Sequence, residues 1–540
     1  MSRNKRRTTT MNRKLLVLPA LLGVMTPLLT GCGGSGGGSG GGKAIVVGTT
    51  DSIELTKDNP APLDPATSYD SATWNIFYNT FQMLLTYQRG STTPSPDAAK
   101  DCHYTDVSVL TYQCTMREDQ KFSNGDPLTA QDVKFSIDRM QKINWPTGPA
   151  SLISGVKSVD APDDKTVVFH LKAPDATFPF KLATPAAAIV DSKVYAPDKP
   201  YNGFHLVGSG PYTMNSFVQA KQGEFSKNSN YAGTLKVNNS AIELKLFADP
   251  HKMESALRSG TIDVMARTLS PDQIGTLLSS TDPNVKLTES PGGEARYLFL
   301  NTEAPSLKKI AVRRAMAQLI DRQAITRDVY KRTADPLYSV IPQGITTHTN
   351  SFYNTYKDPS VPLAKADLRD AGITDKVSLT INYRRDNGGT MNKAEAEAIA
   401  AQLNESGLFD VTTKDEQWNT FLKKASKREY DVFALSWLPD FPDPDNYIAP
   451  FFDKDNFLNL AYNNKTIENQ LLPATRKQAE RGATTTDFTK AQNLIAGEVP
   501  VLPLWQGKQY IAARSNITGV EWALNSSTTT QFWELGRGQS

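Results

Sequence analysis

The sequence predicts a mixed α/β protein of two or three domains, and three observations predict it. The chain has 540 residues, more than one ordinary hydrophobic core accommodates. Its composition, 39% hydrophobic and 21% charged, is that of a soluble globular protein. Residues 377–437 read as strand, helix, strand, helix, strand, the order that builds a parallel sheet with right-handed crossovers.

The N-terminus predicts export. A basic stretch ends at Lys14, and an apolar run follows over 15–29. That run is too short for a membrane span, which needs about 20 residues, and has the length of a signal-peptide core. Arg6-Arg7 lacks the apolar residues that a twin-arginine signal requires after it, so general export is expected; Met11 is an alternative start. The run ends in Leu29-Thr30-Gly31-Cys32, which resembles the lipobox of bacterial lipoproteins. That resemblance implies cleavage after residue 31 and a lipid on Cys32. Residues 33–42, GGSGGGSGGG, form a flexible tether.

The folded body is expected from residue 43. Residues 44–48 read as a buried strand, and 59–65 as a loop rich in proline. Residues 73–85 have helical apolar spacing at Trp74, Phe77, Tyr78, Phe81 and Leu84. A β-rich stretch follows at 110–116 and 166–171, with a helix over 129–140 between them. That helix has Thr129 as N-cap and Asp132 three residues on as an approximate capping box. Cys102 and Cys114 flank a short hairpin. With Cys32 lipidated they are the remaining cysteines, and an oxidising compartment makes a disulfide the expected state, with two separate thiols as the alternative.

Further on, 241–247 alternates like a strand, and 251–259 is a helix closed by Gly260. Strands are read at 262–265 and 296–301, and a helix at 310–320. In the βαβαβ unit the strands are 377–383, 408–412 and 430–437, and the helices 392–404 and 418–425. Two final strands are read at 500–505 and 510–513.

Charge and motifs exclude several functions. The formal net charge of +3 contains six basic residues from 1–31 and no acid from them, so the body is at −3. A slightly acidic body lacks the basic footprint of a nucleic-acid binder. No H-E-x-x-H or P-loop pattern occurs; G-x-S-x-G occurs only inside the glycine-rich tether (33–37 and 37–41), and S-x-x-K only at 2–5, 154–157 and 306–309 without the companion motifs of a serine hydrolase, so no enzyme is expected. The five histidines (His103, His170, His205, His251, His348) show no metal spacing, and neither metal nor cofactor is expected.

Residues 110–139 carry the resemblance. Lys121-Phe122-Ser123-Asn124-Gly125-Asp126-Pro127-Leu128-Thr129-Ala130-Gln131-Asp132-Val133 resembles the signature of family 5 of the bacterial extracellular solute-binding proteins, the peptide and nickel group that feeds ABC importers. Further blocks follow in the family's order: 208–212, 312–325 (VRRAMAQLIDRQAI), 437–452 (WLPDFPDPDNYIAPFF) and 500–505 (PVLPLW). The resemblance covers essentially everything after the tether.

It implies a two-lobed periplasmic-binding-protein-like fold of class II, the large peptide-binding type, with an extra subdomain in lobe I. Lobe I is expected over 43–294 and 506–540, with the subdomain at about 90–205, and lobe II over 295–505. Hinge crossovers fall near 294–301 and 499–505. The implied function is that of a lipid-anchored, monomeric receptor on the extracytoplasmic face of the membrane, which captures peptides and delivers them to an ABC permease. Oligosaccharide or metal-chelate binding on the same fold is the alternative, with Trp418, Trp437, Trp505, Tyr462 and Asn463 available for a sugar.

In peptide-binding relatives the Asp three residues after the Trp of the fourth block holds the peptide's α-amino group; Asp440 matches it here. Trp437 and Trp418 match aromatics that line side-chain pockets. Some relatives carry a basic residue on the strand before that Trp. This chain has none at 433–435, so Arg384 and Arg385, at another strand's end, are the candidates for a ligand carboxylate. Asp443 and Asp445 are read as turn residues. Arg313 and Arg322, around the helix 310–320, are expected in surface or inter-element salt bridges.

Overall fold

Two long strands, Val285–Leu300 and Val501–Arg514, run antiparallel and pair from Val285↔Arg514 to Phe299↔Val501. Together they form the spine of the molecule, a computed structural model that describes residues 43–56, 59–267, 269–386 and 389–538. The expected signal segment, Cys32 and the tether lie outside the described residues. The pair belongs to an 11-stranded sheet. On one side of the spine lie Val264–Ala266, Ile45–Thr49, Ala241–Leu246, Gln222–Lys227 and Tyr212–Val218. Val432–Trp437, Val377–Arg384 and Phe409–Glu416 lie on the other.

The buried apolar residues gather around the two ends of this spine. One core runs from Ile45 to Ala266 and resumes at Ile511–Leu535; another runs from Ala295 to Trp505. A smaller cluster around Met253 and Met265 backs the first. No buried residue belongs to two of these clusters. Between the two large cores the spine strands slip register between Pro291 and Ala295.

The first core includes a four-stranded antiparallel sheet ordered Ala99–Tyr104, Thr111–Met116, Thr166–Leu171, Val156–Asp160. Its strands alternate: Tyr112, Cys114 and Met116 point inward, as do Val167, Phe169 and Leu171. The helix Ala130–Ile143 covers that face with Val133, Ile137 and Met140. Asp132 Oδ2 accepts the Thr129 amide at 3.0 Å, closing the capping box, a feature worth about 1 kcal/mol. Arg139, at the end of the signature stretch, forks onto buried Asp64 at 2.9 and 2.6 Å. This ties the helix to the proline-rich loop.

In the second core Val377–Arg384 pairs in parallel with both Phe409–Glu416 and Val432–Trp437. Helices Gly389–Glu405 and Trp418–Ser426 make the connections. The sheet as a whole is mixed, because Val432–Trp437 then pairs antiparallel with the spine.

Several expectations are corrected. The helix over 73–85 is Ser71–Thr80, ending where Gly210 N–H donates to Thr80 O at 2.9 Å. A Cβ on Gly208 or Gly210 would lie within 2.5 Å of the Thr80 backbone, so only glycine permits this approach. The strands read at 500–505 and 510–513 are one continuous strand. Arg313 and Arg322 make no salt bridge among the described residues. Both are buried and donate to main-chain carbonyls, Arg313 to Leu307, Glu498 and Val499, and Arg322 to Pro503.

Candidate ligand-binding site

The strand Val432–Trp437 ends beside the spine and turns through Leu438, Pro439 and Asp440 into the helix Asp445–Phe452. Strand ends of this kind are where open α/β sheets place ligands. The turn is built rigidly. Asp443 forks onto Arg481 at 2.7 and 2.8 Å, and Asp445 pairs with Arg476 at 3.2 Å. Asp443 and Asp445 are thus anchors of the loop as well as its turn residues.

Asp440 is 8% exposed. Its amide donates to Asn446 Oδ1 at 2.8 Å, and Asn446 Nδ2 donates to Asp440 Oδ2 at 3.1 Å. Its other oxygen accepts from the Tyr69 hydroxyl at 2.6 Å. Tyr69 reaches it from the first core, so the hydrogen bond bridges the two halves. Among the described residues no Lys, Arg or His forms an ion pair with Asp440. Burial therefore pushes its carboxyl above the usual range, and the Tyr69 and Asn446 hydrogen bonds only partly offset this. The phenol of Tyr69 is pushed well up by its own burial and by Asp440, so it is a neutral donor.

The halves touch around this point. Ser527 Oγ donates to Pro439 O at 2.6 Å, Ala176 N–H donates to Arg476 O at 2.8 Å, and the rings of Phe180 and Phe441 lie 5.9 Å apart. The facing wall comes from the parallel strands Ile45–Thr49 and Val264–Ala266, which lead to Asp51 and Arg267. Arg267 Nε lies 2.7 Å from Asp51 Oδ1, and its Nη2 donates to Ser71 Oγ at 2.9 Å.

Trp437 Nε1 donates to Asn446 O at 2.7 Å, which fixes the indole beside Asp440. Its ring meets Phe451 edge-on at 5.1 Å and Phe457 at 6.1 Å, and Leu438 and Phe457 are exposed next to it. Trp418 lies under Arg384, whose Cζ is 4.5 Å from the ring centroid. Arg384 Nε donates to Asp386 O at 3.0 Å, and burial lowers its pKa. Arg385 is turned to the surface, where it pairs with Asp415. Neighbouring residues at a strand end point to opposite faces, so only one of the two arginines enters this region.

Cys102 and Cys114 lie directly opposite each other on paired strands and are joined by a disulfide. Trp505 is buried with its Nε1 donating to Glu395 at 2.6 Å, which removes it from the aromatics available to a sugar. Beneath the site Glu395 also accepts from Arg296 and Tyr330, a fully satisfied buried network. A surface groove of about 480 Å³ beside Arg89, Lys236 and Arg537 lies elsewhere, and two of its arginines are engaged, Arg89 with Glu534 and Arg537 with Asp263.

Sequence reasoning missed Tyr69, Asn446, Arg267 and Asp51. Asn446 had a local signal, six residues beyond Asp440 in the first turn of the helix that the loop leads into. The others come from distant loops and carried none.

Two half-molecules on a shared spine, with a polar site between them at strand ends, define a solute-binding protein by architecture. The model of bacterial extracellular solute-binding proteins, family 5, matches residues 93–459. The chain belongs to that family. It is 28% identical to the probable D,D-dipeptide-binding periplasmic protein DdpA of Escherichia coli, covering 85% of this chain and 89% of that one. It is 26% identical to the oligopeptide-binding protein OppA of Bacillus subtilis, covering 94% and 97%. Its fold matches Helicobacter pylori DppA, solved in complex with the peptide STSA, with TM-score 0.76 at 21% identity over 92% of this chain and 98% of that one.

Proposed function

We propose that the protein is the substrate-binding component of an ABC importer, capturing peptides between two lobes and delivering them to the permease. Asp440 carries this reading. A buried carboxylate held by two neutral donors and no cation is a site that lacks its counter-charge. A peptide's free ammonium supplies it, with charge-assisted hydrogen bonds. Trp437 offers aromatic surface beside Asp440 to side chains, Trp418 backs Arg384 from below, and Arg384 is the candidate for the ligand carboxylate. The oligosaccharide reading leaves Asp440 unexplained, since a neutral sugar brings no charge to it.

The lobes are 43–294 with 506–540, and 295–505. They close by rotation about the spine strands where the register slips. Signal residues 1–31 direct export and are removed; lipidation of Cys32 and the tether 33–42 then hold the receptor at the outer face of the membrane, where it acts as a monomer. No catalytic step belongs to this function. The relatives' peptide-binding names support the ligand class. Mass spectrometry of what co-purifies with the protein tests it: peptides with free N-termini are expected, and a sugar would overturn it.

A further inference from the structure

A second carboxyl faces the space between the halves. Glu294 sits on the spine strand at the register slip between Pro291 and Ala295, outside both large cores. Its side chain is partly exposed and is hydrogen-bonded to Ser436, at the end of the strand that leads to Asp440. Glycine stands opposite it: a Cβ on Gly507 would lie 3.3 Å from Glu294 Oε2, so a larger residue would crowd the carboxyl.

Arginines on both walls act on Glu294 electrostatically, Arg267 from the first half and Arg296 and Arg384 from the second. Each is already engaged. Arg296 is bound to Glu395 at 2.8 Å, Arg267 to Asp51 at 2.7 Å, and Arg384 lies on Trp418 with Asp386 Oδ1 at 3.6 Å. Among the described residues none forms an ion pair with Glu294. The space between the lobes thus holds two carboxyls without a contacting cation, Asp440 and Glu294. A peptide with neutral side chains brings one ammonium, which Asp440 takes. A peptide with a basic side chain brings two cations to two carboxylates.

We propose that Glu294 is a specificity-determining residue that receives a second cationic group of the ligand, so the receptor prefers peptides bearing a lysine- or arginine-type side chain. This rests on the peptide reading above. The carboxylate is held in place before the ligand arrives, so the preference needs no rearrangement of the site.

The test is calorimetry of the full-length protein with Ala-Lys and Lys-Ala, each against its norleucine counterpart, which keeps the chain length and loses the charge. At least one lysine peptide is expected to bind about tenfold or more tighter than its counterpart, a difference that weakens with salt. In Glu294→Gln the two members of that pair are expected to fall within about twofold of each other. Because this is a ratio within one variant, it is insensitive to a general loss of folded protein. Peptides that bind with no lysine preference, or a preference that survives in Glu294→Gln, would overturn the role of Glu294 and leave the peptide reading standing. Binding of no peptide at all would overturn both.

Discussion

Tyr69 and Asp440, 371 residues apart in the chain, share a 2.6 Å hydrogen bond that joins the two halves of the molecule across the candidate site. The phenol offers the buried carboxylate a neutral donor at the point where a peptide ammonium would offer a charged one. The carboxylate is therefore partly satisfied within the protein itself, and on the proposed reading a ligand ammonium would compete with Tyr69 for it.

Removing that donor should loosen the empty receptor. Tyr69→Phe leaves one buried carboxylate oxygen without its partner, at a cost of about 1–3 kcal/mol. The ligand-free variant is expected to be more open, read as a larger radius of gyration in solution scattering. An unchanged radius would mean the hydrogen bond contributes nothing to closure.

Protonation should report the same carboxyl. Burial raises the folded pKa of Asp440 above its unfolded value of about 3.9. Between those values the folded state holds more protons than the unfolded one, so this group's contribution to stability falls as pH rises through the window. Ammonium binding requires the ionised form, so binding at mildly acidic pH should expel a proton from Asp440. Calorimetry in buffers of different ionisation enthalpy reads this as a buffer-dependent heat, and Asp440→Asn should abolish it.

The disulfide should matter to the subdomain. Opening Cys102–Cys114 by the double replacement with serine is expected to lower stability by about 2–4 kcal/mol in denaturant unfolding. Ligand affinity should change little, because the bond lies in the four-stranded sheet and not beside Asp440. A stability loss under about 0.5 kcal/mol would show that this hairpin is held by its ladder alone.

The anchor is tested by Cys32→Ala. The variant is expected in the soluble fraction or left unprocessed, as read by fractionation and immunoblotting. Membrane retention with normal processing would remove the lipoprotein reading.

How much of this was legible depended on how local each signal was. The capping box at Thr129 and Asp132, the βαβαβ unit over 377–437 and the Cys102–Cys114 hairpin each lie within a short stretch, and the structure carries all three. The strand Val501–Arg514 was read as two strands with a break at 506–509. Gln506 instead donates to Gly292 O and Gln343 O, and Gln509 to Asn525 O, so polar side chains are satisfied inside a continuous strand. Arg313 and Arg322 were read as partners in surface or inter-element salt bridges because no sequence pattern shows the carbonyls that end nearby elements. Asp440 was found through a resemblance around Trp437. Tyr69 and Glu294 reach the site by tertiary folding alone, and no periodicity or spacing could have placed them.

The most direct measurement is calorimetry of one co-purified peptide and its N-acetylated form, on the natural protein and on Asp440→Ala. Truncating one member of a buried charge pair costs about 2–5 kcal/mol, so Asp440→Ala should weaken the free peptide at least about thirtyfold. The acetylated peptide should bind the natural protein poorly and lose little more in the variant. Equal affinity for both peptides, or an Asp440→Ala variant that binds the free peptide as the natural protein does, would contradict amine recognition at Asp440.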